Sequence, residues 1–361
     1  MGKRVTMKKL VIIGSNSIHC KRYIAGVLAC KRFEVSIITN QAMSEFISTP
    51  QVVVNFALTN LKAVKQIRRE LAIINPDIVH IHQANSYAWH SLRAIAKLKL
   101  RPQIVLTTWG SDVLILPERS RLMRKMVEYN LCNADIITAD SLFMSAKISQ
   151  LLGAVSCPIH TLNFGIQHLP AKIDLVQNKQ KIILSNRLHK PLYQIDKIVH
   201  AFANLVNNQL IDSQYKLVIA AAGEETPHLQ ALSTSLGVAS RVEFTGMLAY
   251  EQLVEYYRCA QVFVSVPQSD GTASSLLEAM AYGCIPVLSN LPANLEWVLD
   301  QINGFIAPEL SQLQQQVLAA INLSAKIESY QALYDFNYQC IERKASAKVN
   351  MARFIELYDS K

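Results

Sequence analysis

Residues 261–289 read QVFVSV PQSDGTASSLLEAMAYGC IPVLS: an apolar run, a loop of small polar residues opening a helical pattern, and a second apolar run. Gln261 to Val266 and Ile285 to Ser289 are apolar almost without alternation, as strands covered on both faces are. A strand that feeds a helix and returns to a strand belongs to a parallel sheet. In such sheets ligands bind where strands end and helices begin, because helix amino termini offer N–H groups to anions.

The alternation continues outward in both directions. Upstream, strands are predicted near Lys181 to Ser185, Lys216 to Ala222 and Arg241 to Phe244. An earlier series occupies Leu10 to Ile13, Glu34 to Thr39, Gln51 to Phe56, Asp77 to Ile81, Gln103 to Thr108 and Asp135 to Thr138. Between the series, Asn163 to Lys181 lacks either period and carries Gly165, Pro170 and the polar run Gln177 to Gln180, which places a linker there. After Pro308 the pattern is helical, with the last helix from about Asn337 to Asp359. The expectation is an α/β chain of two doubly wound, Rossmann-like domains, 1–172 and 173–336, facing across a cleft. Residues 337–361 form a helix that packs back across it onto the first domain.

At 361 residues, 50% hydrophobic and 17% charged, the composition excludes a disordered or collagen-like polymer and suffices for two cores. The apolar run Leu10 to Ile13 is too short for a signal-peptide core, and Ala279 to Leu295 is interrupted by Pro286 and Pro292, so no bilayer span is predicted. Seven scattered cysteines without a Cys-x-x-Cys pair fit reduced thiols in the cytoplasm.

Charge divides unevenly. Residues 1–172 hold 22 Lys plus Arg against 9 Asp plus Glu, a net +13, whereas residues 173–361 hold 14 against 18, a net −4. The first half is therefore expected to meet something acidic. In Asn60 to Asn75 the helical spacing of Leu61, Val64, Ile67, Leu71 and Ile74 turns Lys62, Lys65, Arg68 and Arg69 to water, and Arg119, Arg121, Arg124 and Lys125 form a second basic run. These are either solvated helix faces or a peripheral patch for an anionic membrane, at the inner face in a cytoplasmic protein.

In the 261–289 unit, Gly271 followed by Thr272, Ala273, Ser274 and Ser275 lets the backbone approach a phosphate at the positive end of the new helix. Asp270 and Glu278 flank this stretch. Paired acids beside a phosphate site suit sugar hydroxyls, since like charges repel; the alternative for Asp270 is a helix cap.

The run Asp270 to Glu278, continued by Leu276-Leu277-Glu278-Ala279-Met280-Ala281, Gly283 and Pro286-Val287, resembles the carboxylate-x7-carboxylate motif of glycosyltransferase family 4, retaining nucleotide-sugar transferases of the GT-B fold. Val242-Glu243-Phe244-Thr245-Gly246 and Asn303-Gly304-Phe305 are similar to further family elements, as is the element order across nearly the whole chain. The resemblance implies that Glu278 binds the donor ribose and Asp270 the transferred sugar, with the shorter Asp standing where many members have Glu. It implies that Arg187 and Lys190 offset the leaving diphosphate, although Pro191 follows where glycine is usual and leaves Lys190 either in the site or facing solvent. Thr245 and Gly246 fall in the donor-binding set, as do Gly14 and Ser15 of the loop after the first strand, where His19 opens a helix. A GxGxxG dinucleotide fingerprint is absent.

His80 and His82 share one strand face. His82 lies toward the cleft and is placed in the catalytic set, while His80 is read as a packed core residue and no metal site is predicted. Thr107 to Asp112 resembles a family segment in which histidine precedes glycine. Here Trp109 takes that place, an indole that stacks on a sugar but transfers no proton. Trp109 and His19 are assigned to the acceptor side, and Asp112 either hydrogen-bonds donor or acceptor or caps the following turn.

The resulting expectation is a glycosyltransferase, metal-independent and without a cofactor, that moves a sugar from a nucleotide diphosphate donor to a glycan or lipid-linked acceptor. The alternatives are a nucleotide-sugar epimerase of the same architecture and a noncatalytic sugar- or nucleic-acid-binding protein. Nucleic acid is not an expected partner, for no interleaved aromatic and basic platform is evident.

Overall fold

The computed structural model describes residues 7–359; the outermost bounds of the predicted domains, residues 1 and 361, lie outside them. The chain forms two units, one holding the residues up to Phe164 and again from Lys348, the other Gly165–Ala347.

The first unit is built on a seven-stranded sheet: β1 (Lys8–Gly14), β2 (Phe33–Thr39), β3 (Gln51–Val53), β4 (Ile78–His82), β5 (Gln103–Thr107), β6 (Ile136–Ala139) and β7 (Ile159–Thr161), in spatial order 3-2-1-4-5-6-7. Every pairing is parallel. The unbroken apolar runs have a simple cause. In β1, Leu10 and Ile12 enter a cluster with Tyr23 and Ile24, while Val11 and Ile13 enter another with Ile67 and Leu71, so both faces are core.

The second unit repeats the plan with β8 (Gln180–Ser185), β9 (Lys216–Ala220), β10 (Val242–Gly246), β11 (Ala260–Ser265), β12 (Ile285–Ser289) and β13 (Phe305–Ala307), in order 10-9-8-11-12-13. Here Leu184, Phe263 and Leu288 face one cluster, and Ile183, Val262, Val264 and Val287 the other.

The structure corrects several boundaries. Strands β7 and β13 were not predicted; each is a three-residue edge strand, too short for a period to register. Val54 to Phe56 leaves the sheet after β3, where Asn55 accepts from the Ala57 amide in a local turn. Leu61 is not on the buried stripe: it sits just before the helix Lys62–Ile74 and is 80% exposed, and the stripe is Ala63, Ile67 and Leu71.

The predicted linker contains a short helix, Leu175–Asn178, capped by the Asp174 carboxylate. The first unit ends at Phe164 rather than near residue 172, because Gly165 and Ile166 join the far end of the second unit. The Ile166 amide donates to the Ala345 carbonyl at 2.8 Å, and a β-carbon on Gly165 (φ +69°) would fall 2.4 Å from that oxygen.

The predicted terminal helix is two helices, Ile327–Lys344 and Ala347–Glu356, broken at Ala345–Ser346 where the chain leaves the second unit. The last residues complete the first unit. Tyr358 donates or accepts at 2.6 Å to both Tyr23 and His80, and Phe354 packs edge-on to Tyr23. Burying each such aromatic side chain contributes about 1.5–3 kcal/mol.

Candidate active site

In the second unit, the loop after β11 lies beside the loop after β8, and the two are tied by the Gln268 amide donating to the Leu192 carbonyl at 2.9 Å. Arg187 and Asp270 meet across them, Nη2 to Oδ2 at 2.7 Å, with side chains 12% and 22% exposed. The guanidinium also donates through Nη1 to Ser275 Oγ at 3.3 Å and stacks over the Tyr193 ring at 4.5 Å. Burial works against the Arg187 charge, yet Asp270 and the Tyr193 hydroxyl outweigh it and raise the pKa above the ordinary arginine value. A permanent, oriented cation is the result.

The helix Ser274–Ala281 starts directly below this pair. Its N-cap is Ala273, which has no side-chain cap, while the Asp270 carboxylate accepts from its neighbour Gly271 at 3.1 Å. Asp270 is therefore not the helix cap. As in any helix, the first N–H groups lack intrahelical acceptors and carry the positive end of the dipole, which favours an anion. The opening is shaped by Thr272, whose hydroxyl accepts from Trp297 Nε1 at 3.2 Å, and by Gly271, buried in the loop.

Glu278, 5% exposed, lies one turn into the same helix. Its Oε2 accepts from the Tyr257 hydroxyl at 3.1 Å, and that hydroxyl in turn accepts from Asn186 Nδ2 at 2.6 Å. Burial and the Glu278 charge push the Tyr257 phenol well above its ordinary pKa, which keeps it a donor.

Thr245 and Gly246 end β10; Gly246 takes φ +69° and its carbonyl accepts from the Ala221 amide at 2.9 Å. Lys190 is exposed at the start of the turn Pro191–Tyr193, and the contacts to Asp270 and Ser275 are made by Arg187.

In the first unit, β1 ends at Gly14, where a β-carbon would lie 2.7 Å from Cys20 Sγ and 3.2 Å from His82 Cβ, so a larger residue would have to displace these side chains. His82 is fully buried; its Nδ1 accepts from Trp109 Nε1 at 3.3 Å, which leaves the proton on Nε2, a buried atom with no protein partner. Burial lowers its pKa to about 3, and it is neutral at ordinary pH. Half-buried Trp109 meets His19 edge-on at 5.4 Å, bringing together the acceptor-side pair predicted from sequence.

His80 is a core residue as read: its ring nitrogens meet Tyr358 and Thr107, each at 2.6 Å. Asp112 points inward. Its oxygens accept from the Ala84 amide at 2.6 Å and the Trp109 amide at 2.9 Å, so the carboxylate ties the Trp109 loop to the loop after β4, just before the helix Ser86–Ile95. This is a turn-positioning role rather than the ligand contact expected of it. Among the described residues, no group of three or more His, Cys, Asp or Glu side chains comes together to hold a metal ion.

Asn186, Tyr193, Tyr257 and Trp297 were not singled out from sequence. Asn186 directly precedes Arg187 and Tyr193 follows it by six residues, whereas Tyr257 and Trp297 carry no local signal at all.

The "Glycosyl transferase 4-like" family model matches residues 9–141 and the "Glycosyl transferases group 1" model residues 166–336, one for each unit. N-acetyl-alpha-D-glucosaminyl L-malate synthase of Bacillus anthracis is 24% identical over 217 residues, 58% of this chain but only 55% of that protein. An uncharacterized glycosyltransferase of Methanocaldococcus jannaschii is 22% identical over 81% of each chain. In fold, HepE of Anabaena, solved with UDP, superposes with a TM-score of 0.79 at 15% identity over 98% of this chain and 100% of its own. Sucrose-phosphate synthase of Thermosynechococcus elongatus gives the same TM-score at 14% identity over 98% of both. Two parallel-sheet units, each matched along most of its length by a glycosyltransferase family, leave one assignment: the chain belongs to the family-4 type of GT-B glycosyltransferases.

Proposed function

We propose that the protein transfers a sugar from a nucleotide diphosphate donor to an acceptor hydroxyl with retention of anomeric configuration and without a metal ion. The observation that carries this reading is the arrangement of Arg187, Ser275 and the helix Ser274–Ala281, a fixed cation and a helix amino terminus in one place. As the bond between the sugar C1 and the diphosphate breaks, its electron pair goes to the diphosphate, and these groups stabilise the growing charge. Glu278, oriented by Tyr257, takes the ribose hydroxyls. Asp270 takes hydroxyls of the transferred sugar, with Thr272 and Ala273 shaping the space beside it. Lys190 adds a second, exposed cation, and Thr245 with Gly246 offers backbone groups to the base. On the first unit, Trp109 gives a face on which an acceptor sugar stacks beside His19; His82, placed in the catalytic set from sequence, is fully buried and orients the indole through its Nδ1 instead of meeting substrate.

Retention rests on the family, since the acceptor oxygen and the departing diphosphate then share one face of the sugar. The +13 charge of the amino-terminal half supports an acidic glycan or lipid-linked acceptor at the cytoplasmic face of a membrane. Among the described residues no helix is long and apolar enough to cross a membrane.

The test is a screen of nucleotide sugars, with and without hydroxyl acceptors, reading the anomeric configuration of any product by NMR. Transfer with the donor's configuration is expected. An inverted product overturns retention, and conversion of donor alone into its epimer overturns transfer.

Two further results are expected. Glu278→Gln removes charge-assisted hydrogen bonds worth roughly 1.5–3 kcal/mol, so donor affinity measured by calorimetry should fall about 10- to 150-fold. Unchanged affinity would remove Glu278 from the donor site. Chelation should leave turnover intact, because the compensating charge comes from Arg187 and the helix; activity lost in EDTA and restored by Mn²⁺ or Mg²⁺ would overturn the metal-independent reading.

A further inference from the structure

On the first unit, the helices Ser86–Ile95 and Arg121–Cys132 and the loop that leads from β3 to the helix Lys62–Ile74 enclose an open cavity of about 410 Å³. Leu58, Trp89, Leu122, Met123, Met126 and Tyr129 line it, and Lys125 is its one charged wall residue. The rim is unusual for a water-facing surface: Leu122 is 70% exposed, nearby in sequence to Leu58 Leu61 is 80% exposed, and Leu58 itself is 39% exposed.

Cations accompany it. Lys125, Arg121 and Arg119 are exposed on and just before one helix, Lys62 and Lys65 on another, and Arg93 covers the Trp89 ring at 5.0 Å. In contrast, Arg124 of the same basic run is engaged by Glu118 at 3.0 Å, and Arg69 by Glu70 at 2.6 Å.

The cavity also has a definite place in the fold. Leu58 follows the carboxyl end of β3, Trp89 stands in the first turn of the helix after β4, and Leu122 is the second residue of its helix. All three belong to the strand-carboxyl end of the sheet, the end at which a doubly wound domain binds its ligands.

We infer that this groove seats an acyl chain of an anionic phospholipid bilayer, with the surrounding Lys and Arg side chains on lipid phosphates. An aromatic- and methionine-lined cavity with a cationic rim matches a lipid that is apolar at one end and anionic at the other. A second copy of the chain is disfavoured as occupant, since a two-fold contact through this face would set like charges against one another. The inference deepens the lipid-linked acceptor reading, but binding is measured without donor or acceptor and so fails or succeeds separately from transfer.

The experiment is flotation of the full chain with phosphatidylcholine vesicles and with phosphatidylcholine vesicles containing phosphatidylglycerol, over a salt series. Leu58→Gln/Leu122→Gln leaves the charge unchanged and alters only exposed positions; Arg121→Gln/Lys125→Gln leaves the apolar lining in place. Wild type should float with the anionic vesicles, the leucine variant should partition at least tenfold less at every salt concentration, and the basic variant should lose most of its salt dependence. Donor binding by thermal shift should be the same in all three proteins.

Equal flotation with neutral vesicles overturns the anionic partner, and wild-type flotation of the leucine variant overturns the groove. Absence of any flotation overturns both. A dimer in sedimentation that the leucine variant dissolves would make this face a contact between copies and also overturn the proposal.

Discussion

Replacing Arg187 by alanine should lower kcat at least a hundredfold while changing KM much less. The guanidinium is held on three sides, by Asp270 at 2.7 Å, Ser275 at 3.3 Å and the Tyr193 ring at 4.5 Å, so it is in position before a donor arrives. A preorganised cation stabilises charge that develops during bond breaking more than charge already present, which places its effect on kcat. One such contact is worth ~2.7 kcal/mol or more in the transition state. The alanine variant also leaves the Asp270 carboxylate without this cation, and part of any loss would come from that. Arg187→Lys separates the two effects: it keeps the charge but not the planar fork that reaches Asp270 and Ser275 together, and should recover only part of the rate. Near-normal turnover in Arg187→Ala would place the residue outside the site.

Acidification should weaken the first unit more steeply than its surface charge suggests. His80 and His82 lie side by side on β4, ring centroids 4.6 Å apart, both fully buried and both shifted down by burial; His80 is lowered further by its neighbour. Around them stand the Tyr23 and Tyr358 hydroxyls, Thr107 and the Trp109 N–H, while the neighbouring Asp112 carboxylate is taken up by the Ala84 and Trp109 amides.

In the unfolded chain each histidine takes up a proton as the pH falls through about 6.5, whereas folded His82 resists protonation down to about 3. The stability this contributes is present above pH 6.5 and is lost as the pH falls from there toward 3. Between pH 7 and 5 the loss for His82 alone is about 2 kcal/mol, and His80 adds in the same direction. Urea midpoints of the first-unit transition at a series of pH values measure it. His82→Gln should flatten the pH slope whatever it does to absolute stability. A midpoint that does not move between pH 7 and 5 would show that these rings are not held neutral.

The parts of this protein readable in one dimension share a physical origin. A strand covered on both faces must be apolar at successive positions, so β8, β11 and β12 announced themselves, and with them the parallel sheet. The loop Asp270 to Ser275 was legible because a run of small polar residues between an apolar strand and a helical pattern marks a strand-to-helix turn, and the charge division between the halves is a matter of counting.

Other features are not properties of neighbouring residues. Strands β7 and β13 have three residues each, and what makes them strands is the hydrogen-bonding edge already present beside them. The break at Ala345 is set by Ile166, far away in the chain, whose amide claims the carbonyl there. Asp112 was open to two readings, a ligand contact or a turn cap, because a carboxylate can reach outward or gather amides; the Ala84 and Trp109 amides, which meet it only in the folded chain, turned it inward.

Thus the fold class, the two-domain plan and the small-residue loop Asp270 to Ser275 were determined by the sequence alone, since each is written in spacings of a few residues. Which carboxylate Arg187 holds, that Tyr257 orients Glu278, that Tyr358 packs into the first unit, and that one loop and two helices enclose an apolar groove were decided only in the tertiary structure. These depend on contacts between residues remote in the chain, and such contacts exist only once the sheets have packed.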